Sequence, residues 1–210
     1  MVPQPLGVPR VEYLIAAAIP LWSGLWYAVM ALGGGQVEVA GQTTYWARYV
    51  DWVVSTPLLL VALVLTATHA LTRRRRGLVA ALVGADVLMI TSGAFADLAE
   101  DTTVRFSLYG IGWLALMAIL GLIWGPLRRV AEQQPPAMAK AFRDVALLLS
   151  VLWVGYPLIW FVGPSGLALV GETTDTALFV VLPIFSKVVW SLVDLSRLRS
   201  LSRRGELTIA

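Results

Sequence analysis

Six apolar stretches, each long enough to cross a lipid bilayer, constrain the fold more than any other feature of this 210-residue sequence. A membrane-spanning helix needs about 20 residues. The stretches cover residues 11–33, 44–71, 77–97, 104–126, 139–163 and 174–199. The connectors between them are short, so successive helices must run antiparallel. The sequence predicts an all-α membrane protein, a single transmembrane domain over residues 1–210 built as one bundle of six helices.

Composition supports this fold class and excludes several kinds of site. The chain is 58% hydrophobic, and its mean hydropathy of +0.76 is too high for a soluble domain of this size. Because there is no cysteine and a single histidine, His69, we expect neither disulfides nor a multi-histidine metal site.

The basic residues predict an orientation in the membrane. Thirteen of the sixteen lysines and arginines fall on one side of the six-helix topology: Arg10, Arg73, Arg74, Arg75, Arg76, Arg128, Arg129, Lys140, Arg143, Arg197, Arg199, Arg203 and Arg204. By the positive-inside rule this side, with the C-terminus, is cytoplasmic in a multi-pass protein of the cell membrane. We interpret these clusters as topological signals and lipid contacts rather than a nucleic-acid site. The opposite loops carry acids, namely Glu38, Asp97, Glu100, Asp101, Glu172 and Asp175.

Ionisable residues inside the predicted helices are the functional candidates, since each costs about 2.5 kcal/mol or more at bilayer depth. Arg48, Asp51 and Ser55 share one face of the second segment because they are three and four residues apart. The last segment holds Lys187 near its centre and Asp194 two turns nearer the predicted cytoplasmic side. A buried lysine is the residue type that forms a Schiff base with a carbonyl ligand.

Two further features allow either a structural or a functional interpretation. Asp86 in the third segment could serve only helix packing, and we expect a hydrogen bond across helices to Thr56. An aromatic stripe beside Pro157 could be ordinary packing or the wall of a pocket; it consists of Trp153, Tyr156 and Trp160.

The motifs in these segments resemble those of the bacteriorhodopsin-like microbial rhodopsins. "YWARYVDWVVSTPLLL" resembles the third helix of that family, "ALVGADVLMITSG" the fourth, and "WVGYPLIWFVGPSG" the sixth. The last segment resembles the seventh helix, and residues 11–33 the second, through "IPLWSGLWYAVMALG". The first helix of the seven-helix family has no counterpart among the six segments.

The resemblance implies a retinal protein, not an enzyme. It places all-trans retinal on Lys187 as a protonated Schiff base, with Asp51 as counterion and Arg48 on its extracellular side. It also places Tyr27 near the counterion. The residues that it implies around retinal are Trp52, Ser55, Thr56, Leu59, Met89, Gly93, Trp113, Trp153, Tyr156, Trp160 and Pro183.

Departures from the outward proton pumps of the family point to the xenorhodopsin branch. Pro183 replaces a second counterion aspartate, and Ala62 replaces the cytoplasmic proton donor. In that branch a carboxylate at the Asp194 position takes part in proton transfer, in some members with a histidine on the second helix. The matching position here is Ala16, so His69 is either a substitute partner or a polar residue of the membrane interface.

These features predict a light-driven inward proton pump in a lipid bilayer, with proton transfer through Asp51 and Asp194. The alternative is a photosensory rhodopsin that signals through a cytoplasmic transducer, for which the basic tail "RLRSLSRRGELTIA" is a candidate contact. A third interpretation is an incomplete or six-helix derivative that still binds retinal. The resemblance also implies a homo-oligomer, with a trimer favoured.

Overall fold

The computed structural model describes residues 7–39, 41–71 and 76–207. Within them lie six helices long and apolar enough to cross a membrane. They are α1 (Arg10–Ala31), α2 (Trp46–Thr68), α3 (Arg76–Leu98), α4 (Thr102–Ala131), α5 (Pro136–Val162) and α6 (Glu172–Arg203). The predicted basic residues Arg73, Arg74 and Arg75 lie outside the described residues, as do the extreme ends of the predicted single domain.

The helices follow one another around the bundle, and α2 lies innermost. It packs against α1, α3 and α5, while α6 packs against α5 and α1. A hydrophobic core runs along this inner surface and includes Leu59, Leu63, Leu116, Phe142, Leu149 and Trp190. The side chains that α2 presents to its neighbours are therefore in the best position to form a shared site.

The two ends of the bundle differ in charge and structure. A short antiparallel pair, β1 (Val37–Val39) and β2 (Gln42–Thr44), joins α1 to α2 at what we call the hairpin end. The other end, called the basic end, holds Arg10, Arg76, Arg128, Arg129, Lys140, Arg143, Arg197 and Arg203. The strands were not predicted from the sequence, because each is only three residues long.

Helix α4 continues five residues past its predicted end at residue 126. Pro126 lies within a π-helical stretch, Ile123–Leu127, and the helix resumes through Arg128 to Ala131. A wider turn tolerates a residue that has no N–H to donate, so this proline does not end the helix. The prediction of a helix end at residue 126 was wrong for this reason.

Local sequence explains several other helix ends. Asp101 caps α4 by accepting a hydrogen bond from the Val104 amide at 2.9 Å. Pro136 is the first residue of α5, where its missing N–H costs nothing. Gly205, with φ +69°, follows α6 and lets the chain turn out of the helix.

Candidate functional site

Lys187 is buried where α1, α2 and α6 meet, with only 1% of its surface exposed. Its Nζ contacts the carboxylate of Asp51 on α2 and donates a hydrogen bond to Ser23 Oγ on α1 at 3.1 Å. Ser23 in turn donates to Asp51 Oδ2 at 2.7 Å. Since Asp51 is fully buried, the lysine and the aspartate neutralise each other in an interior that has no bulk water to do so.

The backbone around Lys187 departs from a regular α-helix. Residues Ile184–Val189 form a π-helical stretch that begins directly after Pro183. Because Pro183 has no N–H, the carbonyl of Phe179, four residues earlier, loses its helical donor. The hydroxyl of Tyr27 donates to this carbonyl at 2.5 Å. Tyr27 thereby fastens α1 to α6 about two turns before the lysine.

An apolar cavity lies next to this ion pair. The volume of the cavity, including its open mouth, is about 710 Å³. Trp52, the residue after Asp51, lines the cavity. Ser186, the residue before Lys187, is hydrogen-bonded at 2.6 Å to Tyr156, which also lines it. The lysine thus lies at the edge of the cavity.

Half of the residues in the cavity wall are aromatic, and the wall comes from α2, α3, α4, α5 and α6. The predicted pocket residues that line it are Trp52, Thr56, Met89, Gly93, Trp153, Tyr156 and Trp160. Pro157, beside the predicted aromatic stripe, also lines the cavity, and the lining residues not predicted from the sequence are Tyr49, Ile90, Tyr109, Gly112, Leu116 and Phe179. Several rings meet edge to face, and Tyr109 stacks on Trp160 with ring centroids 4.5 Å apart.

Four predicted pocket residues lie elsewhere. Ser55 donates to the backbone carbonyl of Asp51 at 2.8 Å, and Leu59 belongs to the hydrophobic core. Trp113 packs edge to face on Tyr109, which lines the cavity. Pro183 is buried in α6, where its effect is on the helix backbone.

Asp86 lies beside the cavity and makes the predicted hydrogen bond. Thr56 Oγ1 donates to Asp86 Oδ2 at 2.7 Å and is also 2.7 Å from the carbonyl oxygen of Trp52. This contact fastens α3 to α2, which confirms the expected hydrogen bond across helices.

Two acids that were predicted to lie in loops are buried helix residues at the hairpin end. Asp97, in the last turn of α3, accepts hydrogen bonds from Tyr49 Oη and Trp160 Nε1, both at 2.8 Å. Asp175, in the first turn of α6, lies 3.6 Å from Arg48. The loop assignment was wrong because the partners of these acids come from helices that are distant in sequence.

A second group of buried polar residues lies toward the basic end. Asp194 accepts a hydrogen bond from Thr66 Oγ1 at 2.9 Å. His69, just beyond the end of α2, faces Glu12 of α1 with Nε2 and Oε1 3.7 Å apart. Burial lowers the pKa of His69 from its ordinary value. The histidine is buried at the end of α2, and among the described contacts it faces Glu12 and makes no bond to Asp194.

Ser23, Glu12 and the buried position of Asp97 were not predicted from the sequence, nor was Gln134, which bonds the Thr66 carbonyl and the Ala70 N–H. A usable signal existed for Ser23, which lies four residues before Tyr27 and therefore on the same helix face. Glu12 is a lone acid near the start of a spanning segment, and such a charge is a functional candidate by default.

The chemistry of the site fits a long, apolar, conjugated aldehyde. A primary amine at the edge of an aromatic cavity can form a Schiff base, and a buried carboxylate beside it can balance the positive charge. Of the two lysines in the chain, only Lys187 is placed for this, since the side chain of Lys140 is 63% exposed.

Known proteins that resemble this chain are rhodopsins. It is 32% identical over 173 residues to archaerhodopsin-3 of Halorubrum sodomense, covering 82% of this chain and 63% of the relative's length. It is 33% identical over 198 residues to sensory rhodopsin-2 of Natronomonas pharaonis, covering 94% of this chain and 80% of that protein.

Solved structures agree with the sequence comparison. The thermophilic rhodopsin of Rubrobacter xylanophilus superposes with a TM-score of 0.87 at 36% identity, covering 93% of this chain and 86% of the other. The light-driven proton pump rhodopsin of Coccomyxa subellipsoidea gives a TM-score of 0.83 at 28% identity, with 89% and 82% covered.

The family comparison covers nearly the whole chain, because residues 2–201 match the sequence model of the bacteriorhodopsin-like proteins. Proteins of this family bind retinal through a Schiff base to a lysine, and they act as light-driven pumps and sensors rather than enzymes. With six apolar helices around a buried lysine, the chain is a multi-pass membrane protein that belongs to the bacteriorhodopsin-like family.

Proposed function

We propose that the protein is a light-driven inward proton pump of the xenorhodopsin type, with retinal on Lys187 and Asp51 as counterion. The observation that carries this proposal is the buried Lys187–Asp51 contact at the edge of the aromatic cavity. Retinal, when bound, supplies a linkage whose isomerisation by light redirects the N–H at Lys187.

Asp51 and Ser23 hold the positive charge at Lys187 in the dark. Both oxygens that contact Nζ lie on the α1 and α2 side of the lysine. A proton that leaves Nζ in the other direction needs an acceptor on the basic side. Asp194 is 97% buried on the same helix, two turns from Lys187, and supplies such a carboxyl.

Two apolar positions support the inward direction. Ala62 on α2 is buried and has no ionisable group with which to return a proton from the basic end. Pro183, one turn from Lys187 on the hairpin side, provides no second carboxylate. On that side a polar pocket with Arg48 and Asp175 in its wall is the candidate source of the returning proton.

The test is the direction of proton movement in illuminated cells, with the wild-type protein compared with Asp194→Asn. We expect the external medium to become alkaline in the wild type, and Asp194→Asn to reduce the rate at least tenfold. Asp144→Asn, at an acid that pairs with Lys140 near the surface, is the matched control and should retain the rate. Acidification that a protonophore abolishes would contradict the inward direction.

A photosensory function is the second candidate, and the similarity to sensory rhodopsin-2 supports it. In that case the protein gives no net proton movement in light, and its basic C-terminal segment binds a cytoplasmic transducer. Co-purification of one partner that depends on residues 197–207, together with an absence of photocurrent, would favour sensing over transport. The homotrimer implied by the resemblance is also part of our proposal, and mass photometry in nanodiscs tests it.

A further inference from the structure

The Glu12–His69 pair is a buried pair of ionisable groups that the Lys187 site does not use. Glu12 is 4% exposed and His69 is 9% exposed, although both lie near the end of the bundle. Their side chains are 3.7 Å apart at the nearest oxygen and nitrogen. Among the described residues His69 Nε2 has no hydrogen-bond partner, so one nitrogen of a buried imidazole is open to a proton.

Asp194 is a buried acid on α6, which packs against α1, the helix that carries Glu12. The cations at the basic end whose ion pairs the structure describes are held by surface acids. These pairs are Arg128 with Glu132, and both Lys140 and Arg197 with Asp144.

Neutral residues join Asp194 to the end of α2 that carries His69. Thr66 donates its hydroxyl to Asp194. Gln134 donates its amide N–H to the Thr66 carbonyl and accepts from the Ala70 N–H, both at 3.0 Å. A small apolar cluster lies at the same end of the bundle and includes Val8, Ala70, Met138, Leu198 and Leu201. These hydrogen bonds hold the group in place.

We propose that Glu12 and His69 together form a proton-binding site that exchanges protons between Asp194 and the water at the basic end. The direction of exchange rests on the proposed function, whereas the existence of the site does not. In one cycle, the O–H bond of the Asp194 carboxyl breaks as its proton passes to the pair. The pair gives one proton to water, and Asp194 is protonated again from the Lys187 side.

Nuclear magnetic resonance of the retinal-bound protein in nanodiscs tests the site directly. His69 is the only histidine, so ¹⁵N-histidine labelling reports this residue without further assignment. We expect the midpoint of the His69 titration to shift by about one pH unit in Glu12→Gln, because the two groups are 3.7 Å apart and the protonation of one affects that of the other. Identical titrations in the two proteins would overturn the proposal.

Proton release after a laser flash gives a second and independent measurement. We expect Glu12→Gln and His69→Gln to slow the appearance of protons at the basic end at least tenfold. The absorption maximum should not change, and added imidazole should restore the rate in His69→Gln. Glu132→Gln removes an exposed acid at the same end and is the matched control. Unchanged release in both variants would contradict a role for the pair.

The two proposals fail in different ways. If the wild-type protein moves no protons inward, the proposed function fails, and the His69 titration alone decides whether the pair binds a proton. If the wild type moves protons inward, but Glu12→Gln changes neither the His69 titration nor the rate of proton release, the pair is only structural. The proposed function then stands.

Discussion

Asp51 and Asp194 are two buried aspartates near the same lysine, and their surroundings differ sharply. Asp51, on the hairpin side, contacts the Lys187 ammonium and accepts a hydrogen bond from Ser23. Asp194, toward the basic end, accepts one from the Thr66 hydroxyl. Both are at least 97% buried, so burial alone does not distinguish them.

The difference in surroundings suits the two aspartates to different roles. A carboxylate that contacts a buried cation is fixed as an anion, because losing its charge would leave the cation unpaired. A carboxyl held by a hydroxyl can keep that contact in either protonation state, since its oxygens accept the hydrogen bond in both. Asp51 therefore suits charge balance, and Asp194 suits proton exchange.

The largest expected effect comes from removing Lys187, which contacts Asp51 and lies on the same helix as Asp194. Lys187→Ala should abolish the visible absorption band after reconstitution with all-trans retinal, because no other buried amine lies beside the cavity among the described residues. Absorption spectra of purified protein measure this. Lys140→Ala removes the exposed lysine and should leave the band intact. A band that persists in Lys187→Ala would remove the attachment site.

Replacing Asp51 tests whether this carboxylate balances the charge at Lys187. In Asp51→Asn the protonated linkage loses its counterion, so we expect the visible band to give way to a near-ultraviolet band at lower pH than in the wild type. An unpaired buried cation should also cost about 3 to 5 kcal/mol of stability. Spectra recorded across pH, and denaturant melts of the protein, measure the two effects.

The matched control for this prediction is Asp144→Asn at the surface pair with Lys140. We expect it to change stability by less than about 1 kcal/mol. If the visible band gives way to the near-ultraviolet band at the same pH in Asp51→Asn and in Asp144→Asn, Asp51 is not the counterion.

The smallest expected effect concerns the hydroxyl that holds Asp194. Thr66→Val removes the donor without changing the size of the side chain, and should destabilise the protein by about 1 to 3 kcal/mol. Thr68→Val is the control, because the Thr68 hydroxyl bonds only within its own helix, to the Val64 carbonyl at 2.8 Å. If the two variants unfold at the same denaturant concentration, Asp194 does not depend on Thr66.

Much of the bundle and part of the site could be predicted from the sequence. Long apolar stretches specify spanning helices whatever their neighbours are, because a membrane leaves the backbone few other ways to satisfy its hydrogen bonds. The spacing of Asp51 and Ser55, and of Lys187 and Asp194, follows from helix geometry. The Thr56–Asp86 contact was predictable because buried polar groups in facing helices seek partners.

Contacts between distant segments were not predictable in the same way. Ser23 joins the Lys187–Asp51 pair only because α1 packs beside both α2 and α6. Asp97 looks like a loop acid in the sequence, yet Tyr49 and Trp160 converge on it from two other helices.

The sequence by itself determined that this chain is a membrane-spanning helical bundle with a buried lysine, because hydrophobic length and helical periodicity are local properties. The tertiary structure decided which acid partners each buried cation and that His69 faces Glu12 rather than Asp194. Those choices depend on how helices rotate and approach one another. A shift of a few ångströms changes which groups are in contact, and the strength of buried electrostatic interactions depends on that distance.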